Sequence, residues 1–105
     1  RTHGLPSWNS LPVVDLLSTA LGCPVILESE ANLAAVGESR AVESVHLPLV
    51  LISVSHGISC GIIDTAGSIF RGASGAAGDI AHLKRQHDQG DVRCYCGRTG
   101  CLDSV

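Results

Sequence analysis

Four residues near the carboxyl end of the chain carry side chains that commonly bind metal ions. They are His82, Cys94, Cys96 and Cys101. Their spacing is His-x11-Cys-x-Cys-x4-Cys, and three thiolates with one imidazole form a usual closed set around tetrahedral zinc. Glycines between the cysteines permit the tight backbone path that three sulfurs around one ion require. The sequence therefore predicts a structural zinc site formed by these four residues.

Disulfide bonding is the alternative chemistry for the same residues, with two paired cysteines, a spare thiol and a surface histidine. A Cys-x-Cys pair is too close for an easy disulfide, and no secretory segment is visible. Two further cysteines, Cys23 and Cys60, are interpreted as free thiols, which suit a reducing cytoplasm. Zinc is the favoured interpretation, and we expect a cytoplasmic protein.

The composition limits the size and the partners of the protein. The chain has 105 residues, starts at Arg1 and lacks methionine, so we expect a piece of a longer polypeptide. Its apolar content of 45% with only 3% aromatic residues is typical of layered α/β packing. The net charge of −3 makes a poor DNA-binding surface. The longest apolar stretch, residues 47–54, is too short to span a bilayer.

Two helices and one strand are predicted in the first half of the chain. Ser10 caps a first helix that Gly22 ends, and residues 24–27 then form a short buried strand. Ser29 caps a second helix that runs to about Val45. Its predicted apolar stripe consists of Ala31, Ala34, Ala35, Val42 and Val45.

Hairpin strands follow the second helix. The pattern predicts three strands, at residues 49–54, at a segment that includes 60–63, and at 68–71. Turns that contain glycine separate them. Beyond residue 83 we expect little regular structure, because a bound metal replaces the core that such a polar segment lacks. The order of these elements predicts an α/β piece with a mixed sheet.

Four segments of the chain, taken in sequence order, resemble motifs of the ROK family of bacterial repressors and sugar kinases. Residues 28–38 are similar to the family's Glu-Asn-Asp-Ala-Asn-Ala-Ala-Ala-x-Gly-Glu segment, and residues 55–63 to its Gly-Thr-Gly-Ile-Gly-Ala-Gly hairpin. Residues 75–82 resemble Gly-x-Ala-Gly-Glu-Ile-Gly-His, and residues 94–103 match Cys-x-Cys-Gly-x-x-Gly-Cys-x-Glu. The resemblance spans about residues 10–105.

The resemblance implies an actin-like, ribonuclease-H-type fold. Residues 1–105 would form a single fragment of the effector domain, with a zinc loop at 82–103. Carried over position by position, the family's sugar-binding residues are Ser29, Glu30, Asp79, His82 and Asp103. His82 would direct one ring nitrogen to zinc and the other to a sugar hydroxyl. A predicted turn of helix at 77–82 would place Asp79 and His82 on one face.

Several of these positions differ from the family's kinases. Glu30 stands where the general-base aspartate of the kinases lies, and its extra methylene displaces the carboxylate. Ser55-His56-Gly57 replaces the Gly-Thr-Gly turn whose backbone approaches nucleotide phosphates. The family's Asp-x-Gly-Gly-Thr phosphate loop is absent from these 105 residues. We therefore predict no catalytic residue in this chain, and Glu30 and Asp79 also fit structural roles as a helix-start carboxylate and a turn cap.

Three functions remain open from the sequence. The favoured one is the effector domain of a ROK-type repressor that binds a sugar or sugar derivative. Such a protein would bind DNA through an upstream helix-turn-helix and form a homo-oligomer, with no membrane partner. The second is a ROK-type ATP-dependent sugar kinase. The third is a zinc-stabilised interaction module without a small-molecule site.

Overall fold

Two helices precede a hairpin of two strands in the computed structural model, which describes residues 6–43, 45–85 and 92–104. The elements are a 3-10 helix at Pro6–Ser10, helix α1 at Val13–Leu21, helix α2 at Glu30–Ala41, strand β1 at Leu49–Val54, strand β2 at Ile58–Ile63 and a 3-10 helix at Leu102–Ser104. This order confirms the predicted α/β class. In the part of the chain that is described, no helix is long and apolar enough to cross a membrane.

Helix α1 begins later than the sequence predicted. Ser10 belongs to the preceding 3-10 helix, and Pro12 occupies the cap position of α1 without a side-chain hydrogen bond. The prediction that Ser10 caps this helix is wrong, because it would place Leu11 in helical conformation directly before a proline, where the ring disfavours it. The predicted end is confirmed: Gly22 has a left-handed φ of 66°, and its N–H donates to the Ser18 carbonyl.

Residues 24–27 do not form the predicted buried strand. They have no regular secondary structure, and Ile26 is 89% exposed. An isolated strand leaves its backbone N–H and C=O groups without partners, so it requires a neighbouring strand. The sheet of the described residues contains β1 and β2 alone, and neither of them pairs with this segment.

Helix α2 begins where the sequence predicted and ends earlier. Ser29 is its N-cap, and the Ser29 Oγ accepts a hydrogen bond of 3.2 Å from the Asn32 N–H. The helix ends at Ala41 rather than near Val45, because Val42 adopts an extended conformation. The predicted apolar stripe is correct for Ala31 and Ala35, which are buried. It is wrong for two other members, Ala34 and Val42, which are exposed.

The sheet is an antiparallel hairpin rather than the mixed sheet that was predicted. Strands β1 and β2 pair from Leu49–Ile63 at one end to Val54–Ile58 at the other, which confirms both predicted strands. The predicted third strand at 68–71 is reduced to a single bridge between Ile69 and Ile63. A mixed sheet needs parallel neighbours connected by crossovers, and the described residues contain none.

A glycine on β2 permits α2 to lie directly on the hairpin. A Cβ atom at Gly61 would stand 2.2 Å from the Ala31 carbonyl oxygen and 2.9 Å from the Ala35 Cβ. Ala31, Ala35 and Ile63 are among the most deeply buried apolar residues of the chain. Small residues on both elements therefore bring the start of α2 close to the hairpin, and this arrangement positions the candidate site.

Candidate functional site

The loop that carries three cysteines is folded by its own backbone. The Cys94 N–H donates to the Arg98 carbonyl at 2.8 Å, and the Gly97 N–H donates to the Cys94 carbonyl at 2.9 Å. Gly97 has a φ of 89°, a left-handed conformation that residues with a Cβ rarely adopt. This tight turn keeps the sulfurs of Cys94 and Cys96 on the same side of the loop as Cys101.

Short backbone bridges bring the histidine to the cysteine loop. Lys84 pairs with Cys101 in an isolated antiparallel bridge, and the Leu102 N–H donates to the Leu83 carbonyl at 2.9 Å. Because His82 directly precedes this paired segment, its ring lies beside the cysteine sulfurs. Two stretches that are more than ten residues apart in sequence thus share one site.

The four predicted metal ligands form one compact cluster. The ligand atoms of His82, Cys94, Cys96 and Cys101 all lie within 4.8 Å of one another. The Cys94 Sγ is 3.6 Å from the His82 Nδ1, and the Cys96 Sγ is 3.7 Å from the Cys101 Sγ. A tetrahedral zinc ion with Zn–S bonds of about 2.3 Å places its sulfurs about 3.8 Å apart, so the cluster fits such an ion.

The cysteines are free thiols rather than disulfide partners. A disulfide requires about 2.05 Å between sulfurs, whereas the Cys96 and Cys101 sulfurs are 3.7 Å apart. Burial raises the pKa of Cys101 to about 11, and a hydrogen bond from the Arg98 backbone lowers the pKa of Cys96. A thiolate at Cys101 near neutral pH therefore needs a cation beside it, as a bound divalent metal would provide.

An aromatic ring that the sequence did not single out lies against the metal cluster. Tyr95 meets the His82 ring edge to face, with ring centroids 5.3 Å apart and an interplanar angle of 72°. Burial and the neighbouring Asp103 carboxylate raise the pKa of Tyr95. Tyr95 thus lies between the candidate metal ligands and Asp103. The one sequence feature that could have indicated this role is the position of Tyr95 between two cysteines.

One open pocket brings together all five residues that the resemblance implicated in sugar binding. Its volume is about 600 Å³. It is lined by Ser29, Glu30, Ser53, Ser55, His56, Gly57, Ile58, Ser59, Asp79, Ala81, His82, Tyr95 and Asp103. Hydroxyl, carboxylate and imidazole groups therefore face one space from several separate segments, an arrangement suited to hydrogen bonding with a polyhydroxylated ligand.

Different elements supply the walls of this pocket. The start of α2 provides Ser29 and Glu30, and the tip of the β1–β2 hairpin provides His56. Asp79 and His82 lie on successive turns rather than on the predicted turn of helix at 77–82. That prediction is wrong because backbone bonds such as Ile80 N–H to the Gly78 carbonyl close shorter turns.

Asp103 has a structural contact in addition to its place in the pocket. Its Oδ1 accepts a hydrogen bond of 2.7 Å from the Ile58 N–H, and a Cβ at Gly57 would stand 3.2 Å from the same oxygen. The Asp103 N–H donates to the Ala81 carbonyl at 2.9 Å. Asp103 therefore ties the tip of the hairpin to the segment that carries the candidate metal ligands.

The fold and the site together define an α/β protein in which a Cys/His group that could hold a metal ion lies beside a polar pocket. The chain matches the ROK family over residues 2–105, and it belongs to that family. A glucokinase from Halalkalibacterium halodurans is 35% identical over 99 residues, which cover 93% of this chain and 29% of the relative. The xylose repressor of Caldicellulosiruptor bescii is 36% identical over 98 residues, which cover 92% of this chain and 24% of the relative.

Structural comparison gives the same family. A ROK glucokinase from Streptomyces griseus, solved in complex with glucose and AMPPNP, superimposes with a TM-score of 0.75 at 31% identity, covering 88% of this chain and 29% of that one. The described residues thus share the α/β, actin-like architecture of ROK glucokinases. The chain spans only about a quarter to a third of the length of these relatives. Repressors and sugar kinases match it at similar identity.

Proposed function

We propose that this chain is the sugar-sensing part of a ROK-type transcriptional repressor, with a structural zinc ion beside the sugar pocket. The observation that carries the proposal is the single pocket of about 600 Å³ lined by Ser29, Glu30, Asp79, His82 and Asp103. This volume lies within the usual range for small-molecule sites, roughly 300–1,000 Å³. The intact repressor would be a cytoplasmic homo-oligomer that binds DNA through a domain outside this chain.

Zinc would be held by His82, Cys94, Cys96 and Cys101, whose ligand atoms cluster within 4.8 Å. The ion would act structurally, because four protein ligands complete its tetrahedron. With Nδ1 on the metal side, the opposite ring nitrogen of His82 is the one suited to a sugar hydroxyl, since metal binding fixes the tautomer and the direction of the ring.

Several residues support sensing rather than phosphoryl transfer. Glu30 places a longer side chain than aspartate at the general-base position, and positioning accounts for much of phosphoryl-transfer catalysis. His56 adds a side chain at the hairpin tip, on the pocket itself. Ser29 accepts a hydrogen bond from Asn32 while its hydroxyl proton can still bond to a sugar oxygen.

Calorimetry on the intact protein tests this proposal. We expect heat of binding with at least one of D-glucose, D-xylose and a panel of N-acetylhexosamines, and no sugar-dependent formation of ADP from ATP. Asp79→Ala should weaken that binding at least tenfold, because the aspartate lines the pocket. Asp15→Ala, an exposed carboxylate of α1 outside the pocket, is the matched control and should bind like the wild type.

A sugar kinase is the second candidate. Glu30 retains a carboxylate at the start of α2 and on the pocket, which favours this alternative. If the intact protein forms ADP in the presence of sugar, and Glu30→Gln abolishes that activity, the protein is a kinase and the sensing proposal is wrong. Silence with every sugar would instead favour the zinc-stabilised interaction module.

A further inference from the structure

We propose that the ion pair between Glu28 and Arg71, here called the Glu28–Arg71 latch, holds the start of α2 at a fixed position relative to the loop that carries Asp79. Arg71 is then a positioning residue for sugar binding. The proposal rests on the proposed function of the pocket, because it concerns how that pocket is held. Neither residue lines the pocket of about 600 Å³. The Glu28–Arg71 latch therefore acts through the residues that it positions.

The two carboxylate oxygens of Glu28 bind different parts of the molecule. Its Oε1 accepts hydrogen bonds from the Ser29 N–H at 2.9 Å and from the Asn32 Nδ2 at 2.8 Å. Its Oε2 forms an ion pair with the Arg71 Nη1. One oxygen thus holds the start of α2, where Ser29 and Glu30 lie, and the other holds Arg71.

Arg71 is in turn built into the loop that leads to Asp79. Its carbonyl oxygen accepts a hydrogen bond of 3.1 Å from the Ala77 N–H, which closes the segment 71–77. Gly72, directly after Arg71, has a left-handed φ of 71° and turns the chain at that point. Arg71 is therefore fixed at both ends, by its backbone to the loop and by its guanidinium to α2.

The loop is also seated on the hairpin next to Asp79. The Cys60 N–H donates to the Gly78 carbonyl at 3.1 Å, and a Cβ at Gly78 would stand 2.1 Å from the Cys60 carbonyl oxygen. This contact locates one end of the loop on β2, and the Glu28–Arg71 latch locates the other end on α2. Together they set the distance from Asp79 to Ser29 and Glu30.

A cavity also separates part of this loop from the residues that lead into α2. It measures about 380 Å³ and lies between the start of α2, at Glu28 and Ser29, and the loop at 74–79. The Glu28 side chain is only 12% exposed, so its carboxylate is largely shielded from water, whereas the Arg71 side chain is 55% exposed and solvent partly screens the pair. Hydrogen bonds from Asn32 and Ser29 and the pairing with Arg71 lower the pKa of Glu28 to about 2, so the carboxylate is charged at neutral pH.

Sugar affinity of latch variants in the intact protein is the test. Arg71→Met should weaken binding of whichever of D-glucose, D-xylose and the N-acetylhexosamines the wild type binds, by roughly three- to tenfold. Arg71→Lys should recover most of that loss, since an ammonium group can still pair with a single carboxylate oxygen. Arg40→Met removes an exposed arginine from the last turn of α2 and should leave the affinity unchanged.

A double-mutant cycle separates the latch from a general loss of structure. Glu28→Gln combined with Arg71→Met should weaken sugar binding little more than either change alone, because both remove the same contact. Additive effects of the two changes, or wild-type affinity in Arg71→Met, would overturn the latch and leave the proposed function intact.

Amide hydrogen exchange of the ligand-free protein provides a readout that does not depend on sugar. Arg71→Met should speed exchange at Ala77, whose N–H closes the loop, while Arg40→Met should not. If the wild type binds none of the sugars, the proposed function of the pocket fails and the positioning role in sugar binding fails with it. Faster exchange at Ala77 would then identify the latch as a purely structural tie.

Discussion

At the scale of single residues, the metal cluster depends on side-chain chemistry that the sequence displays directly. Three thiols and an imidazole gather within 4.8 Å. The pKa of Cys101 is raised to about 11 by burial, so this thiol would lose its proton to water near neutral pH only where a cation stabilises the resulting thiolate. If the cluster binds a metal ion, we expect that binding to be coupled to the folding of residues 92–104, because a metal site of this kind is assembled only in the folded state.

Cys101→Ser should release the metal. We expect the zinc content of the purified intact protein to fall from about one ion per chain to near zero, and the segment after Leu83 to become sensitive to protease, because hydroxyls are poor zinc ligands. Elemental analysis and limited proteolysis measure both effects. Cys23→Ser is the control, since Cys23 is exposed and lies outside the cluster; unchanged metal content in Cys101→Ser would contradict the assignment.

His82→Ala should weaken both metal binding and sugar binding. Its Nδ1 lies 3.6 Å from the Cys94 sulfur, and the residue also lines the pocket. A loss of roughly tenfold or more in each affinity is expected, in line with changes around metal ligands. Competition with a zinc chelator and calorimetry with sugar measure the two, and His46→Ala, an exposed histidine, is the control. Loss of one affinity alone would show that the two roles are separate.

At the scale of elements, close packing between α2 and β2 determines where the pocket residues of α2 stand. The Gly61 position has no room for a side chain because the Ala31 carbonyl lies where a Cβ would be. A side chain there would push the helix start, with Ser29 and Glu30, away from the hairpin tip. The position of the helix is thus decided by a residue that lies outside the pocket.

Gly61→Ala should destabilise the intact protein by about 1–3 kcal/mol, the usual cost of inserting a methyl group into a close-packed interface. Urea denaturation measures the change. Gly37→Ala lies within α2, where a Cβ would meet nothing within 4 Å, so this control should be neutral or stabilising by up to about 1 kcal/mol. Equal stability of the two variants would show that α2 does not pack on β2 in this way.

At the scale of the whole molecule, large apolar surfaces remain exposed in this chain. Helix α1 has no buried residue, and every second residue of β1 is exposed, up to 74% at Val54. Large apolar side chains exposed in such numbers are normally covered when they form a patch. Since the chain spans about a quarter to a third of its relatives, we expect the rest of the domain or a second chain to cover these faces.

The isolated 105-residue chain should therefore self-associate in solution. Ile52→Lys places a charge in the centre of the exposed face of β1 and should reduce the associated fraction, whereas Thr65→Lys, in an exposed turn, should not. Sedimentation velocity measures the distribution of species. A monomeric wild-type chain with a cooperative thermal transition would contradict this expectation.

Local signals in the sequence were sufficient for the elements that depend on near neighbours. The Ser29 cap, the Gly22 end of α1 and the two strands of the hairpin were predicted correctly, because side-chain caps, left-handed glycines and runs of β-branched residues act within a few residues of the backbone that they shape. Ser10 was predicted wrongly because the effect of Pro12 on the preceding residue was not taken into account.

Tertiary structure decided what depends on distant partners. Residues 24–27 have a strand-like sequence and no strand beside them, so their backbone pairing could not be predicted from composition. The chemistry of His82 and of the cysteines could be predicted from the sequence. The pocket could not, because it forms where α2, the hairpin tip, the turns at 77–82 and Asp103 meet. That meeting depends on the packing of α2 on Gly61 and on the bridge between Lys84 and Cys101. Residue types fix which bonds a side chain can form, and only the folded chain fixes which partners come within reach of it.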